Sequence, residues 1–96
     1  MSKIILIKGL QGSGKTAKAH EIINREPHIE IEYFQIQSAI MIYGTRKYIL
    51  ICNVPKSKVK SLAARYLKSA IEDKPTLIIC TRDLAAQVDG AEVITL

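Results

Sequence analysis

The segment between residues 9 and 16 constrains this chain more than any other part of its sequence. It runs Gly-Leu-Gln-Gly-Ser-Gly-Lys-Thr and matches the pattern G-x-x-x-x-G-K-[ST] at every defined position. A β-branched apolar run, Lys3–Lys8, precedes it and predicts a buried strand. The apolar spacing of Lys15–Arg25 predicts a helix directly after it, ending before Pro27. A strand, a glycine-rich turn and a helix in this order are typical of an α/β domain.

The rest of the chain also alternates between predicted strands and helices. Apolar runs predict four further strands, at Ile29–Phe34, Lys47–Cys52, Thr76–Thr81 and Glu92–Leu96. Glutamates alternate with apolar residues in the first of these, so we expect it at a sheet edge with one wet face. Strands separated by helices favour a mostly parallel sheet with helices on both faces.

The clearest helical pattern covers Pro55–Asp73. Its predicted buried face consists of residues at helical spacing: Val59, Leu62, Ala63, Tyr66, Leu67, Ala70 and Ile71. Two shorter segments are less regular. Gln35–Tyr43 predicts a short helix with ambiguous periodicity, and Arg82–Val88 predicts a turn or a short helix.

Length and composition predict one α/β domain over residues 1–96. The 96 residues are 48% hydrophobic and 24% charged, which is ordinary for a globular chain and argues against disorder. Apolar runs fall well short of the roughly 20 residues that span a bilayer, so we expect no membrane partner. Cys52 and Cys80 each close an apolar run, which suits buried thiols in a reducing, cytoplasmic location.

Basic residues are concentrated in one part of the chain. The formal net charge is +5, and residues 35–71 contain seven Lys or Arg and no acid. The basic helix predicted there carries most of them: Lys56, Lys58, Lys60, Arg65 and Lys68. Such a block is consistent with a nucleic-acid partner for residues 56–68, or with an ordinary solvated helix face. Charge alone does not separate these two interpretations.

The residue types of the 9–16 segment suit phosphate binding. Gly9, Gly12 and Gly14 let backbone N–H groups approach phosphate oxygens closely. The helix that starts at Lys15 directs its positive end toward an anion. The Lys15 ammonium reaches the β and γ phosphates in such a site, and the Thr16 hydroxyl binds Mg²⁺.

On these residues the chain resembles the P-loop nucleotide-binding superfamily, and the specific likeness covers residues 9–16. The resemblance implies that all eight residues bind nucleotide: Gly9, Leu10, Gln11, Gly12, Ser13, Gly14, Lys15 and Thr16. The segment is also similar to the P-loop of signal-recognition-particle GTPases. Those proteins read guanine with a T-K-x-D motif, from which Thr81-Arg82-Asp83 departs because Asp83 comes one position early. We therefore expect ATP rather than GTP, together with Mg²⁺.

Within that superfamily the chain looks like the RecA/AAA+ branch. The resemblance implies a three-layer fold with five strands in the order 5-1-4-3-2. Cys52-Asn53 then stands where the Walker B strand normally ends in two acids, and Thr81 stands where a polar sensor residue follows the next strand. Asn53 is expected to belong to the metal site with Thr16, because its amide can accept a hydrogen bond from a metal-bound water, although it cannot act as a base. Asp83 is expected to be the only carboxylate near the C-terminal edge of the strands. Together with the lysine of the loop, Lys15, it is therefore a catalytic candidate.

Two classes of function follow from this pattern. The first is a weak or assembly-dependent ATPase, favoured by the intact Lys15-Thr16 pair. The second is a non-hydrolysing nucleotide-binding or nucleic-acid-associated module, favoured by the missing Walker B acids. The resemblance also allows a homo-oligomer, in which Arg46 or Arg82 would reach the γ-phosphate of a neighbouring subunit.

Overall fold

A computed structural model describes residues 3–35, 46–68 and 74–96 of the chain. The strands and helices are β1 (Ile4–Lys8), α1 (Lys15–Ile23), β2 (His28–Glu32), β3 (Tyr48–Cys52), α2 (Val59–Lys68), β4 (Thr76–Thr81) and β5 (Glu92–Thr95). Two short 3₁₀ turns occupy Tyr33–Gln35 and Lys56–Lys58. Most of the short helix predicted over Gln35–Tyr43, and the last part of the one predicted over Pro55–Asp73, lie outside the described residues.

The five strands form one parallel sheet in the order β2-β3-β4-β1-β5. Written from the other edge this is the order 5-1-4-3-2, so the predicted strand order is confirmed. β1 lies between β4 and β5 with four of its five residues buried, and β2 lies at an edge with partly exposed residues, as the acidic alternation predicted. The turn after β4 is held against β1, because Lys8 Nζ donates hydrogen bonds to the carbonyls of Leu84 and Ala86.

The two helices pack on opposite faces of the sheet. On one face, alternate strand residues such as Leu6, Ile51 and Ile79 pack under α2. On the other face, the intervening residues such as Ile7 and Ile78 pack under α1. The connection from β1 to β2 and the connection from β3 to β4 run in opposite directions along the sheet. Right-handed crossovers therefore place their helices on opposite faces.

The helix ends follow from local backbone chemistry. α1 ends at Asn24, which adopts a left-handed conformation (φ 49°) and donates its backbone N–H to the His20 carbonyl. α2 is entered through the 3₁₀ turn after Pro55. Four of the predicted stripe residues are buried, namely Val59, Leu62, Ala63 and Tyr66. Leu67 was predicted to be buried with them, but it is half exposed because it lies at the margin of the stripe.

The parallel arrangement brings the carboxyl ends of all five strands to one edge of the sheet. In open parallel sheets, ligands bind in the crevice outside this edge. The 9–16 loop follows β1 there, and the segments that follow β3 and β4 flank it. In the described ranges, no helix is both long enough and apolar enough to cross a bilayer.

Candidate nucleotide site

The loop between β1 and α1 depends on glycine at two positions with positive φ. Gly12 has φ 83° and Gly14 has φ 92°, a region that strains residues with a Cβ. A hydrogen bond from Ser13 N to Leu10 O closes the turn, and Gly9 N donates to Thr81 O on β4. No heavy atom lies within 4 Å of where a Cβ would stand at Gly12 or Gly14. The loop backbone is thus open to a close approach by a ligand.

α1 begins at this loop, and no capping or acidic side chain neutralises the partial positive charge of its N-terminus. Gly14 is the N-cap residue and supplies no capping side chain, and the first turn contains no acid. The first hydrogen bond of the helix runs from Lys18 N to Gly14 O, which leaves the N–H groups of the preceding residues without a helical acceptor. Unpaired N–H groups and the positive end of the helix dipole together favour an anion at this position.

The Lys15 side chain folds over the loop from which it starts. Its Nζ atom donates hydrogen bonds to the carbonyls of Gly9 (2.7 Å) and Leu10 (3.0 Å). An ammonium group has three donors, so one N–H remains after these two bonds. The carbonyls therefore hold the positive charge next to the N-terminus of α1, where it adds to the potential of the helix.

Five of the eight residues predicted to bind nucleotide line one open cleft of about 510 Å³, a volume within the range of small-molecule sites, whereas Gly9, Leu10 and Ser13 do not line it. It is lined by Gln11, Gly12, Gly14, Lys15, Thr16, Ala17, Asn53 and Arg82. Both predicted metal ligands, Thr16 and Asn53, therefore face the same space as Lys15. Arg82 also lies within the cleft of its own chain, where its guanidinium donates to Gln11 Oε1 (3.1 Å). Arg82 therefore lies beside the 9–16 loop of its own chain.

A carboxylate that the sequence interpretation overlooked lies beside Asn53. β2 ends at Glu32, which is opposite Cys52 in the sheet register, and Glu32 Oε2 accepts a hydrogen bond from Asn53 Nδ2 (2.5 Å). The expectation that Asp83 is the only carboxylate near this edge is wrong. The predicted strand ran on to Phe34, but the backbone leaves the sheet after Glu32 and enters a 3₁₀ turn. The alternating glutamates of this strand were the signal that could have revealed it.

Asp83, like Glu32, is not among the residues that line the cleft with Lys15. It borders a neighbouring depression together with Lys56, and its carboxylate accepts a hydrogen bond from Ala85 N (3.1 Å). The Asp83 carboxylate therefore stabilises the turn in which it lies. The two depressions share only Asn53 and Arg82 on their borders.

Thr81 also has a different position from the one that the sensor resemblance implied. Its side chain is buried; its hydroxyl donates to Val54 O (2.9 Å) and accepts from Asp83 N (3.2 Å). It joins the segments that follow β3 and β4 instead of facing the cleft. Because successive residues alternate between the two faces of the sheet, Thr81 points to the side of α2.

The two cysteines lie under the start of α1, free and buried, as predicted. Cys52 Sγ is 3.9 Å from the Thr16 hydroxyl oxygen. The interaction between the two thiols lowers the pKa of Cys52 and raises the pKa of Cys80. Burial raises the pKa of Cys80 further. Cys52 is therefore the first of the pair to ionise, and Cys80 keeps its proton.

Comparisons with protein-family models, with curated proteins and with solved structures give no match to this chain.

Packing within the loop predicts a specific coupling between Gly9 and Ser13. A Cβ at Gly9 would collide with Ser13 Oγ and come within 3.1 Å of Ser13 Cβ. We expect Gly9→Ala to lower the free energy of unfolding by about 1–3 kcal/mol through overpacking. In a Ser13→Ala background the loss should shrink by at least about 0.5 kcal/mol, since the colliding oxygen is gone. Urea unfolding of the four proteins in this cycle measures the coupling.

Gly90→Ala provides the matched control for this cycle. Gly90 has φ 78° in a turn with no heavy atom near its Cβ position. Its substitution should cost about 1–2 kcal/mol through backbone strain, equally in both backgrounds. Strictly additive effects of Gly9→Ala and Ser13→Ala would contradict the predicted packing.

Proposed function

We propose that this chain binds a nucleoside triphosphate, ATP in preference to GTP, together with Mg²⁺ through residues 9–16. The observation that carries the proposal is the uncapped, acid-free N-terminus of α1, which opens onto the same cleft as the Lys15 ammonium. A triphosphate is the common cellular ligand whose charge suits both groups at once. The strand order and the helices on opposite faces support the further proposal of a three-layer P-loop fold.

The oxygen donors around Thr16 fit a magnesium ion. Mg²⁺ prefers oxygen ligands and is commonly held by one or two protein groups plus phosphate oxygens and waters. The Thr16 hydroxyl and the Asn53 amide line the cleft, and the Glu32 carboxylate accepts a hydrogen bond from Asn53, so that these three groups offer such oxygens. A bound Mg²⁺ would supply charge neutralisation for the phosphates. The hydrogen bond from Asn53 fixes the Glu32 carboxylate for this role, although the sulfur of Cys52 nearby is a poor ligand for so hard an ion.

We further propose that hydrolysis by the isolated chain is slow or depends on assembly. The amide of Asn53 cannot act as a general base. Glu32 can accept a proton, but its Oε2 atom is engaged with Asn53. Turnover well below the enzyme median of about 10 s⁻¹ is expected. The two free, buried thiols fit a reducing cytoplasmic location.

An alternative function, a non-hydrolysing module that associates with nucleic acid, is favoured by one surface. All five basic residues of the 56–68 segment are exposed. Within the described parts of the chain, none of them forms an ion pair, whereas Lys18 and Lys47 on other surfaces do. Unpaired cations on a helix that packs its apolar side against the sheet remain available for phosphates.

Lys15→Ala tests the nucleotide site directly. We expect loss of roughly 2–5 kcal/mol in the binding of ATP with Mg²⁺, because a partly desolvated charge contact to phosphate disappears. Lys18→Ala is the matched control, since Lys18 lies on the same helix but pairs with Glu21 (3.4 Å). Calorimetric titration measures both variants. Equal ATP affinity in Lys15→Ala and the parent protein would remove the 9–16 segment from the proposal.

Glu32→Gln and Asp83→Asn test which carboxylate serves the metal. Glu32→Gln should reduce the enhancement of ATP affinity by Mg²⁺ about 10-fold, in line with the loss of a metal ligand or its outer-shell partner. Asp83→Asn should leave that enhancement unchanged, because the Asp83 carboxylate borders the neighbouring depression and accepts a hydrogen bond from Ala85 N rather than from Asn53. Titrations with ATP in Mg²⁺ and in EDTA give the ratio. The reverse order of effects would show that the acid is wrongly assigned.

A salt titration separates the alternative function from an ordinary solvated helix. Contacts from Lys58, Arg65 and Lys68 to duplex DNA should give a slope near −2.7 for log affinity against log salt, at about −0.9 per contact. Fluorescence anisotropy with duplexes of unrelated sequence should give similar, weak affinities. Failure to bind at ~50 mM salt, with larger species in sizing chromatography once ATP is added, would favour a subunit interface instead.

A further inference from the structure

Two histidines and a glutamate meet where the second half of α1 faces β2. His20 Nε2 lies 2.6 Å from Glu30 Oε1, and the rings of His20 and His28 have centroids 5.8 Å apart. One ligand atom from each of the three residues falls within 4.8 Å of the other two. His28 and Glu30 are alternate residues of β2, so both project to the same side of the strand.

We propose that His20, His28 and Glu30 bind a divalent transition-metal ion of the zinc class. Two imidazole nitrogens and one carboxylate oxygen form a donor set that Zn²⁺ accepts, with water completing a tetrahedral site. Mg²⁺ and Ca²⁺ prefer all-oxygen sets and do not compete well for imidazole. None of the three residues lines the cleft that contains Lys15, so the proposal is independent of nucleotide binding.

The main chain fixes the tautomer of one histidine in the form that a metal requires. His28 Nδ1 lies 3.0 Å from the carbonyl oxygen of Glu26. A carbonyl can only accept, so Nδ1 carries the proton and Nε2 of the neutral ring keeps its lone pair. Histidine ligands almost always donate their second ring N–H to an outer-shell acceptor such as a backbone carbonyl. If His20 and Glu30 formed only an ion pair with each other, neither the hydrogen bond from His28 to the Glu26 carbonyl nor a second imidazole would be needed.

The spacing of the three groups is close to that of a bound ion. Ligand atoms around tetrahedral zinc are about 3.4 Å apart, given bond lengths of about 2.0–2.2 Å. To bind an ion, His20 Nε2 and Glu30 Oε1 must move slightly apart from their present distance of 2.6 Å. The most distant pair of ligand atoms, now at most 4.8 Å apart, must move closer together. The side chains of His20 and Glu30 are 51% and 40% exposed, which leaves room for these rotations and lets an ion enter from solvent.

A metal at this position would tie the second half of α1 to an edge strand. Among the described strands, β2 pairs with β3 alone, and its residues are partly exposed. Binding to the folded chain alone stabilises it by mass action. The proposed role is therefore structural: the ion holds the edge strand against the helix that begins at the nucleotide cleft.

Zinc titration of the whole chain, without added nucleotide, tests this proposal. Isothermal calorimetry should give one saturable Zn²⁺ site, and an excess of Zn²⁺ should raise the unfolding midpoint by roughly 5 °C or more. Mg²⁺ at the same concentration should leave the midpoint unchanged. Lowering the pH from 7.5 to about 5.5 should weaken binding, because protons compete with the metal for the imidazole nitrogens.

His20→Asn, His28→Asn and Glu30→Gln should each weaken Zn²⁺ binding at least ~10-fold, since even outer-shell changes cost about that much. Glu21→Gln is the matched control, because Glu21 is an exposed carboxylate on the same helix. Circular dichroism verifies that the four surface variants fold. The absence of saturable binding, or binding that survives all three ligand substitutions and hence belongs to the thiols or another group, would overturn the proposal.

Discussion

The parallel pairing of β1 with β4 is the constraint on which the rest of the structure depends. It extends past the strands, where Gly9 N donates to Thr81 O (3.2 Å), and so fixes the start of the 9–16 loop beside the turn that carries Arg82. Because β4 also pairs in parallel with β3, the segment containing Asn53 ends at the same edge. Three chain segments far apart in sequence therefore meet in one cleft. An antiparallel arrangement would have sent one of them to the opposite edge.

Much of this arrangement could be predicted from the sequence, because it depends on strong local signals. The apolar runs of β1, β3 and β4 are buried on both faces, and such runs indicate central strands of a parallel sheet. The glycines of the loop indicate positive φ, and Gly12 and Gly14 have it. The strand order came from the resemblance to RecA/AAA+ proteins and not from these patterns. Pattern alone does not tell which strands are neighbours.

The errors concern side-chain direction at strand ends, which the sequence determines only weakly. Glu32 was assigned to the middle of a strand, where its carboxylate would face solvent along an edge. The chain instead leaves the sheet directly after Glu32. Asn53 adopts a left-handed conformation (φ 56°) and donates its side-chain amide to the Glu32 carboxylate. The sensor resemblance implies that Thr81 faces the cleft, but its side chain points to the side of α2. Neighbouring residues of a strand project to opposite faces, so an error of one position reverses the face. Arg82 occupies the cleft in its place.

The acidic alternation of β2 acquires a physical explanation from this geometry. His28, Glu30 and Glu32 are alternate residues of one strand, and the two glutamates engage partners on α1 and after β3, respectively. A strand whose sequence is typical of a sheet edge with one wet face therefore supplies polar groups to both of the proposed metal positions. The proposed donors differ in hardness: Glu32 offers an oxygen beside Asn53, whereas His28 and Glu30 lie with the imidazole of His20. Ligand hardness sorts divalent ions between such sets, so the proposed magnesium position and the proposed zinc-class position are compatible on one strand.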